Sequence, residues 1–394
     1  MRAKGFVHRR PWAVLAAGAA IQLLTGVPSA WGAFQKGVCE GYRLREEDAA
    51  LILSVVVCFF GIGCVLGGLL QDRAGPRAAG LAGAALLAGG FLAAGWWVPE
   101  GSPGLFYVCF SAPVGLGCAF LYPAVMSCAQ KWYADKKGLA TGVIGCAAGL
   151  SGAALTALAR GFSAWGGVRA SFWGAGLVMG GVCGTAALFL HDPDESARPA
   201  APGARQYTAR EMARTQQFWL LAASLFFAAP TVLLFSPVIV ELAAQRGLAQ
   251  GAALSCVWLG AVSAAAGRLS MPWLSDRIGR RAADMLLFAA LAVLSAAFAF
   301  ARGWWMLGVY CALTFCYAGQ AAVLPSAVND LFGQKNAGVN YGLVALGMSA
   351  GSLAFPLAAR ALGLQAGRHW VAVLAAAAGF CCVRRLRPTQ GEKL

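Results

Sequence analysis

The sequence predicts an all-α polytopic membrane protein with twelve transmembrane helices. They form two six-helix halves, residues 1–190 and 216–394, around a cytoplasmic connector at 191–215. Three observations lead there. Hydrophobic residues fill 59% of the 394 positions and charged residues 12%, about half the charge of an ordinary soluble domain. Apolar runs of spanning length recur between charged or Pro/Gly punctuation; at about 20 residues each, twelve spans need roughly 240 residues. Finally, Gly68-Leu69-Leu70-Gln71-Asp72-Arg73-Ala74-Gly75-Pro76-Arg77 returns as Pro272-Trp273-Leu274-Ser275-Asp276-Arg277-Ile278-Gly279-Arg280-Arg281, each copy after the second span of its half.

In order, the spans of the first half are 11–34, 48–70, 78–98, 103–129, 137–159 and 168–190. The basic start (Arg2, Lys4, Arg9, Arg10) runs into apolar residues up to about Phe34 without a small-residue cleavage site, so this stretch reads as span 1 and not as a signal peptide. The polar segment from His191 to Thr215 holds Pro193, Pro199 and Pro202 and is too hydrophilic and too rich in helix breakers to cross. The second half repeats the pattern at 217–242, 249–274, 283–301, 304–331, 337–362 and 370–383. Glycine is abundant within the spans, 51 residues in all, and small residues let helices pack closely enough to slide and rock.

The net charge of +15 does not gather into a basic stripe with stacking aromatics, so nucleic acid is not the expected partner. With a cytoplasmic N-terminus, roughly 21 of the 31 Lys and Arg fall in cytoplasmic segments and about 9 in the opposite loops. This is the positive-inside pattern of a cytoplasmic-membrane protein with both termini in the cytoplasm. The 13 cysteines lie mostly inside apolar runs (Cys58, Cys64, Cys109, Cys118, Cys311, Cys316) without a paired C-x-x-C, and His8, His191 and His369 are far apart. No metal site, cofactor or catalytic cluster is expected, which argues against an intramembrane enzyme.

The repeated loops carry the first functional reading. A single acid/base pair between helices reads equally well as a solvated turn, but D-R-x-G-x-R occurring twice points to paired latches. Asp72 with Arg73 and Arg77, and Asp276 with Arg277 and Arg280, are the candidate gating residues. A carboxylate there can pair with guanidinium groups and with the positive end of a facing helix.

This loop pattern resembles the signature of the major facilitator superfamily, whose parallel six-helix repeats place the substrate near the midplane. Three further stretches narrow the resemblance to the oxalate/formate antiporter family. They are Lys131-Trp132-Tyr133-Ala134-Asp135-Lys136-Lys137-Gly138-Leu139-Ala140-Thr141-Gly142, then Tyr207-Thr208-Ala209-Arg210-Glu211-Met212 with Phe218-Trp219, and Asp330-Leu331-Phe332-Gly333 with Asn336-Ala337-Gly338-Val339-Asn340-Tyr341-Gly342. The resemblance implies a monomeric secondary transporter that moves a small organic anion through the bilayer by antiport or proton-linked symport.

Arg268, inside span 8, is the position richest in chemistry. A guanidinium in a span costs roughly 2.5–3.5 kcal/mol on translocon scales and usually faces a polar cavity, where its fork matches a carboxylate. The resemblance implies that this arginine binds the substrate carboxylate. The competing reading has it snorkel to the surface or brace the Asp276 loop; against that, no acidic residue is expected deep enough to neutralise it. Gln22, Trp31, Tyr122, Tyr317 and Gln320 are the other candidate lining residues, with Tyr122 and Tyr317 where the family places pocket aromatics.

Two positions depart from the family pattern. Ser29 stands where a tyrosine is usual, and Met348 where oxalate transporters carry a lysine. With one cation expected in the cavity, a monocarboxylate is the expected substrate. A dicarboxylate exchanger of the oxalate/formate type and a transporter-fold sensor without net flux are the alternatives.

Overall fold

The computed structural model describes residues 11–193, 206–236, 239–361 and 367–387. Arg2, Lys4, Arg9 and Arg10, and Pro199 and Pro202 of the connector, lie outside them, as does the side chain of Ser29. Every regular element among the described residues is helical.

The first span is not continuous. α1 (Pro11–Thr25) ends at Gly26 and α2 (Val27–Gly41) restarts with Pro28 in its first turn, where the missing N–H and fixed φ of proline suit a helix start and not a helix interior. α3 (Glu46–Trp97), 52 residues long, would extend roughly 78 Å if straight, enough for two crossings. It divides into the expected spans at Gly75, whose φ of 86° favours glycine, followed by Pro76. α4 (Pro103–Phe106) passes through a π-helical turn, Tyr107–Ser111, into α5 (Ala112–Trp132). α6 (Lys137–Ala187) is again double length and breaks at Gly166 and Gly167.

Past the connector, α7 (Ala209–Ala213) is a short helix with a reciprocal Thr208–Glu211 cap. The seventh span repeats the interruption of the first: α8 (Gln216–Ala228), α9 (Pro230–Leu233) and α10 (Ile239–Gln245) share its length, with Pro230 at the first break. Both halves thus open with a discontinuous helix, a device that transporters use where irregular backbone lines a cavity. α11 (Gln250–Ile278) and α12 (Arg280–Phe300) meet at Gly279, φ 91°, the counterpart of Gly75. α13 (Gly303–Phe332), α14 (Ala337–Ala361) and α15 (Arg368–Arg384) complete the second half.

Each half has its own apolar core. In the first, Trp31, Phe34, Phe91, Phe106, Phe110 and Phe172 interlock; in the second, Phe235, Phe288, Phe298 and Phe332 are fully buried. The halves meet along two pseudo-equivalent helix pairs, α6 with α11 and α14 with α3. Glycine permits the approach: a methyl on Gly142 would lie 2.6 Å from the Leu269 carbonyl oxygen, and one on Gly338 would lie 2.9 Å from the Gly68 Cα. Exposed tryptophans mark both ends of the bundle. Trp96, Trp97, Trp165, Trp304, Trp305 and Trp370 lie at helix ends on one side, and Trp12, Trp219 and Trp273 at helix ends on the other, the distribution of the two interfacial belts of a membrane protein.

Candidate functional site

Arg268 lies about 27 Å along α11 from its first residue and about 15 Å from its last, well inside the helix. Its Cβ faces Gly145 of α6 in the other half, 3.2 Å from where a methyl on that glycine would sit. The side chain is half-buried, its Nε is enclosed without a hydrogen-bond partner, and no described carboxylate forms an ion pair with it. Three phenols from three helices lie within its electrostatic reach: Tyr122 of α5, Tyr317 of α13 and Tyr341 of α14. Tyr122 and Tyr341 also stack on one another, ring centroids 5.6 Å apart at 27°.

The structure therefore brings together Arg268, Tyr122 and Tyr317 and adds Tyr341, which the sequence offered only as one letter of a motif. Gln320, one turn from Tyr317 on α13, is 1% exposed with neither amide atom partnered. Met348 lies seven residues from Tyr341, two turns along nearly the same face of α14, and packs against the second half's core. Gln22 is buried on α1, its carbonyl accepting from Thr25 at 3.0 Å and its amide nitrogen unpartnered. Trp31 is held inside the first half's core, its Nε1 donating to the Ala49 carbonyl at 3.2 Å and its ring packed 5.7 Å from Phe110. One positive charge with three phenols in its electrostatic reach can hold one negative charge and a few hydrogen-bonding groups.

Toward the Trp273 end, the halves are joined by polar layers. Gln130 of α5 accepts from Asn329 of α13 and donates to Thr141 at 2.9 Å. Beyond it lie the two latches. Asp72 accepts from the backbone N–H groups of Gly338 and Val339, 3.2 and 3.0 Å, at the start of α14. Asp276 accepts from the N–H of Gly138, 2.8 Å, at the start of α6. Each carboxylate thus sits on the positive end of a long helix of the other half.

The latches are unequal. Arg280 pairs with Asp276 and with Asp330, 3.0 Å, and Asp330 pairs with Lys137 of the other half at 2.7 Å; at the position equivalent to Arg280 the first half has Pro76. Arg73 and Arg77 are exposed, and Arg277 is exposed over the Trp273 ring at 3.9 Å. Of the candidate gating arginines, Arg280 is the one whose side chain the structure places against a latch carboxylate.

One expectation is corrected. An acidic residue is buried within a span: Asp284, on the second turn of α12, is 1% exposed with one carboxylate oxygen unpartnered. It stands one turn from Arg280 on α12 and forms no ion pair with Arg268. Its place at the start of span 9, next to three loop arginines, made it read as part of the loop.

The stretches behind the family resemblance converge in space. The Tyr207 carbonyl accepts from the side-chain amides of Asn336 and Asn340, 2.9 and 3.1 Å, and the Tyr207 N–H donates to the Phe332 carbonyl at 2.9 Å. The connector exit is thereby clamped to the junction between α13 and α14, beside the Asp330–Lys137 pair.

The family model described as Major Facilitator Superfamily matches residues 15–356 and 271–393. The oxalate:formate antiporter of Oxalobacter formigenes is 27% identical over 328 residues, 81% of this chain and 77% of that protein. An uncharacterized MFS-type transporter of Escherichia coli K12, YhjX, is 24% identical over 355 residues, 88% of this chain and 87% of its own length. Among solved structures, a bacterial homologue of the iron transporter ferroportin in its outward-facing state matches with a TM-score of 0.72 at 14% identity, covering 95% of this chain and 98% of that one. The major facilitator transporter FucP in its outward conformation matches with a TM-score of 0.69 at 16% identity, covering 94% and 97%.

Proposed function

Since this chain belongs to the major facilitator superfamily, and is a multi-pass membrane transporter and not an enzyme, we propose that it carries a small monocarboxylate by alternating access, with Arg268 as the anion's partner. The carrying observation is the half-buried guanidinium, its Nε enclosed, within the electrostatic reach of Tyr122, Tyr317 and Tyr341 and with no described carboxylate paired to it. A buried cation left without a counter-charge is costly unless a ligand supplies one. Two charge-assisted hydrogen bonds from the guanidinium fork would orient the carboxylate, and the phenols would donate to what remains of it.

In this reading the latches hold one end of the bundle shut. The substrate exchanges through the other end until Asp72 and Asp276 release the helix ends they grip. The alternating pattern of basic loops supports cytoplasmic termini in a cell inner membrane, so that the latched end faces the cytoplasm; a reporter fused after Arg387 that reads the periplasmic side would reverse this orientation. Antiport and proton-linked symport are both compatible with a single internal cation. The relative that exchanges oxalate for formate favours a second reading, dicarboxylate exchange.

The test is thermal stabilisation of the purified protein by formate, lactate, oxalate and malonate, followed by counterflow of the labelled ligand in proteoliposomes. Stabilisation rises with occupancy when ligand binds only the folded state. Preference for formate or lactate with counterflow supports the proposal. Preference for oxalate replaces it with the second reading, and binding without counterflow makes the protein a sensor.

A further inference from the structure

The two halves repeat their helix contacts in register. With Asp72 and Asp276 as counterparts, Gly63 of α3 corresponds to Gly267 of α11. A methyl on Gly63 would lie 3.1 Å from the Leu116 Cα of α5, and one on Gly267 would lie 3.1 Å from the Phe315 Cα of α13. Leu116 and Phe315 are therefore counterparts. Along the same two helices, Ser127 and Gln130 of α5 correspond to Ser326 and Asn329 of α13.

Gln130 and Asn329, joined by a hydrogen bond, are thus each other's counterpart. Counterparts touch only at the axis that relates the halves, which for a parallel repeat runs along the membrane normal. The pair lies on the line that a substrate held at the midplane follows toward the latched end, and Gln130 is about 12 Å along α5 from Tyr122. The groups bonded around it are uncharged. The Gln130 amide donates to the Thr141 hydroxyl at 2.9 Å and to that of Ser326 at 3.4 Å, and these two hydroxyls are 3.4 Å apart. Ser127 differs from its counterpart Ser326: it is 5% exposed and its hydroxyl is enclosed without a partner.

We propose that Ser127, Gln130, Ser326 and Asn329 form a second station for the transported carboxylate, between the Arg268 site and the latched end. This rests on the alternating-access reading above. When the halves part, the bonds from Gln130 to Asn329 and Ser326 break, whereas that from Gln130 to Thr141, within one half, stays. N–H groups of Asn329 and Gln130 and the Ser326 hydroxyl are then freed beside the unused Ser127 hydroxyl. A carboxylate only accepts hydrogen bonds, so it matches a set of freed donors. Uncharged donors suit a station and not a trap: the anion is solvated as it leaves the guanidinium, and no second cation holds it back.

Counterflow of labelled formate and lactate in proteoliposomes, beside thermal stabilisation by the same anions as the measure of binding at Arg268, tests this on the full-length protein. Ser127→Ala removes a hydroxyl that bonds nothing in this state, so it should melt no lower than wild type. Binding should be unchanged and counterflow about tenfold slower, the loss of one hydrogen bond to a charged group. Ser295→Ala, on α12, also removes a buried hydroxyl without a partner and should leave counterflow unchanged. Asn329→Asp keeps the shape, puts a negative charge on the path and should block counterflow while binding is retained. Wild-type counterflow in Ser127→Ala, or equal losses in Ser127→Ala and Ser295→Ala, overturns the station and leaves the Arg268 reading in place. Faster counterflow in Asn329→Asp also overturns it, since the pair would then act as a lock alone. No counterflow of either anion by wild type overturns both.

Discussion

Tyr341 of α14 stacks on Tyr122 of α5 with ring centroids 5.6 Å apart, so a phenol pair within the electrostatic reach of Arg268 lies across the seam between the halves. The pair couples the substrate site to the conformation. An anion that recruits either phenol competes with a contact that exists only while the two halves lie together here.

Tyr341→Leu removes the stacked ring from the seam. Aromatic pairs contribute about 0.5–1.5 kcal/mol beyond their buried area, and a net loss of about 1 kcal/mol from the latched state should move the balance of conformations about fivefold. Spin-label distances between the halves, without substrate, report that balance. If Tyr341→Leu and wild type give the same distance distribution, the pair does not favour either state.

The unequal latches lead to a second prediction. Asp72 grips only backbone N–H groups, so Asp72→Asn should weaken charge-assisted contacts and open this end without affecting folding. Arg280→Gln differs: it breaks the ion pairs with both Asp276 and Asp330, leaving Asp330 with Lys137 and Asp276 with the Gly138 N–H. Removing one partner of a largely buried ion pair costs several kcal/mol, so Arg280→Gln should lower the melting temperature markedly whereas Asp72→Asn should not. Equal melting temperatures for the two variants would mean that the latches are equivalent.

Much of this was legible in the sequence. The charges of D-R-x-G-x-R fall in short loops between apolar runs, so their repetition could be read without a structure, as could the two turn glycines, Gly75 and Gly279. The stretches around Lys137, Tyr207 and Asn336 were read as separate signatures and form one contiguous cluster. Which face of a span meets the other half was not legible. α14 is apolar almost all round and lacks a polar stripe to orient it, so Tyr341 could not be assigned to the seam from periodicity. The break at Gly26 was missed because an apolar run looks the same on both sides of Pro28.

For Arg268, binding and stability should change in opposite directions. Arg268→Gln removes a half-buried cation that lacks a described carboxylate partner, so the empty protein should melt at a higher temperature while carboxylate binding falls at least about tenfold, the loss of one charge-assisted hydrogen bond. Arg268→Lys should also bind poorly, because a point charge cannot reproduce the two-pronged contact. Equal uptake by the Lys and Gln variants would favour the bracing role that the sequence also allows.

A pH effect is expected at His369. Burial, Arg246 and Arg368 hold its folded-state pKa near 4, below the ordinary 6.5. The unfolded chain therefore takes up this proton first as the pH falls. Its contribution to stability is complete above about pH 6.5, declines between 6.5 and 4, and levels off below. Melting curves of wild type and His369→Gln should converge as the pH drops through that window. Parallel curves would mean that the imidazole titrates as it does in water.

The substrate's charge gives the last prediction. The described residues offer three phenols within the electrostatic reach of Arg268 and, one turn from Tyr317, the unpartnered amide of Gln320; Met348 lies on α14 two turns beyond Tyr341. A dianion bound there would keep one carboxylate uncompensated in a region of low dielectric, a cost of several kcal/mol. A monocarboxylate leaves its alkyl group for the adaptable, apolar Met348 surface. Competition for uptake should therefore rank formate and lactate above oxalate and malonate. Met348→Lys, which adds a cation on the same face of α14, should move the ranking toward the dianions by at least tenfold while reducing affinity for lactate, whose methyl group would then face an ammonium. The substitution replaces a half-buried side chain of similar length, so a melting curve close to wild type is needed to separate altered selectivity from misfolding. Oxalate preferred by the wild type, or a folded Met348→Lys variant with an unchanged ranking, would show that a second cation already reaches the site and that one positive charge does not set the specificity.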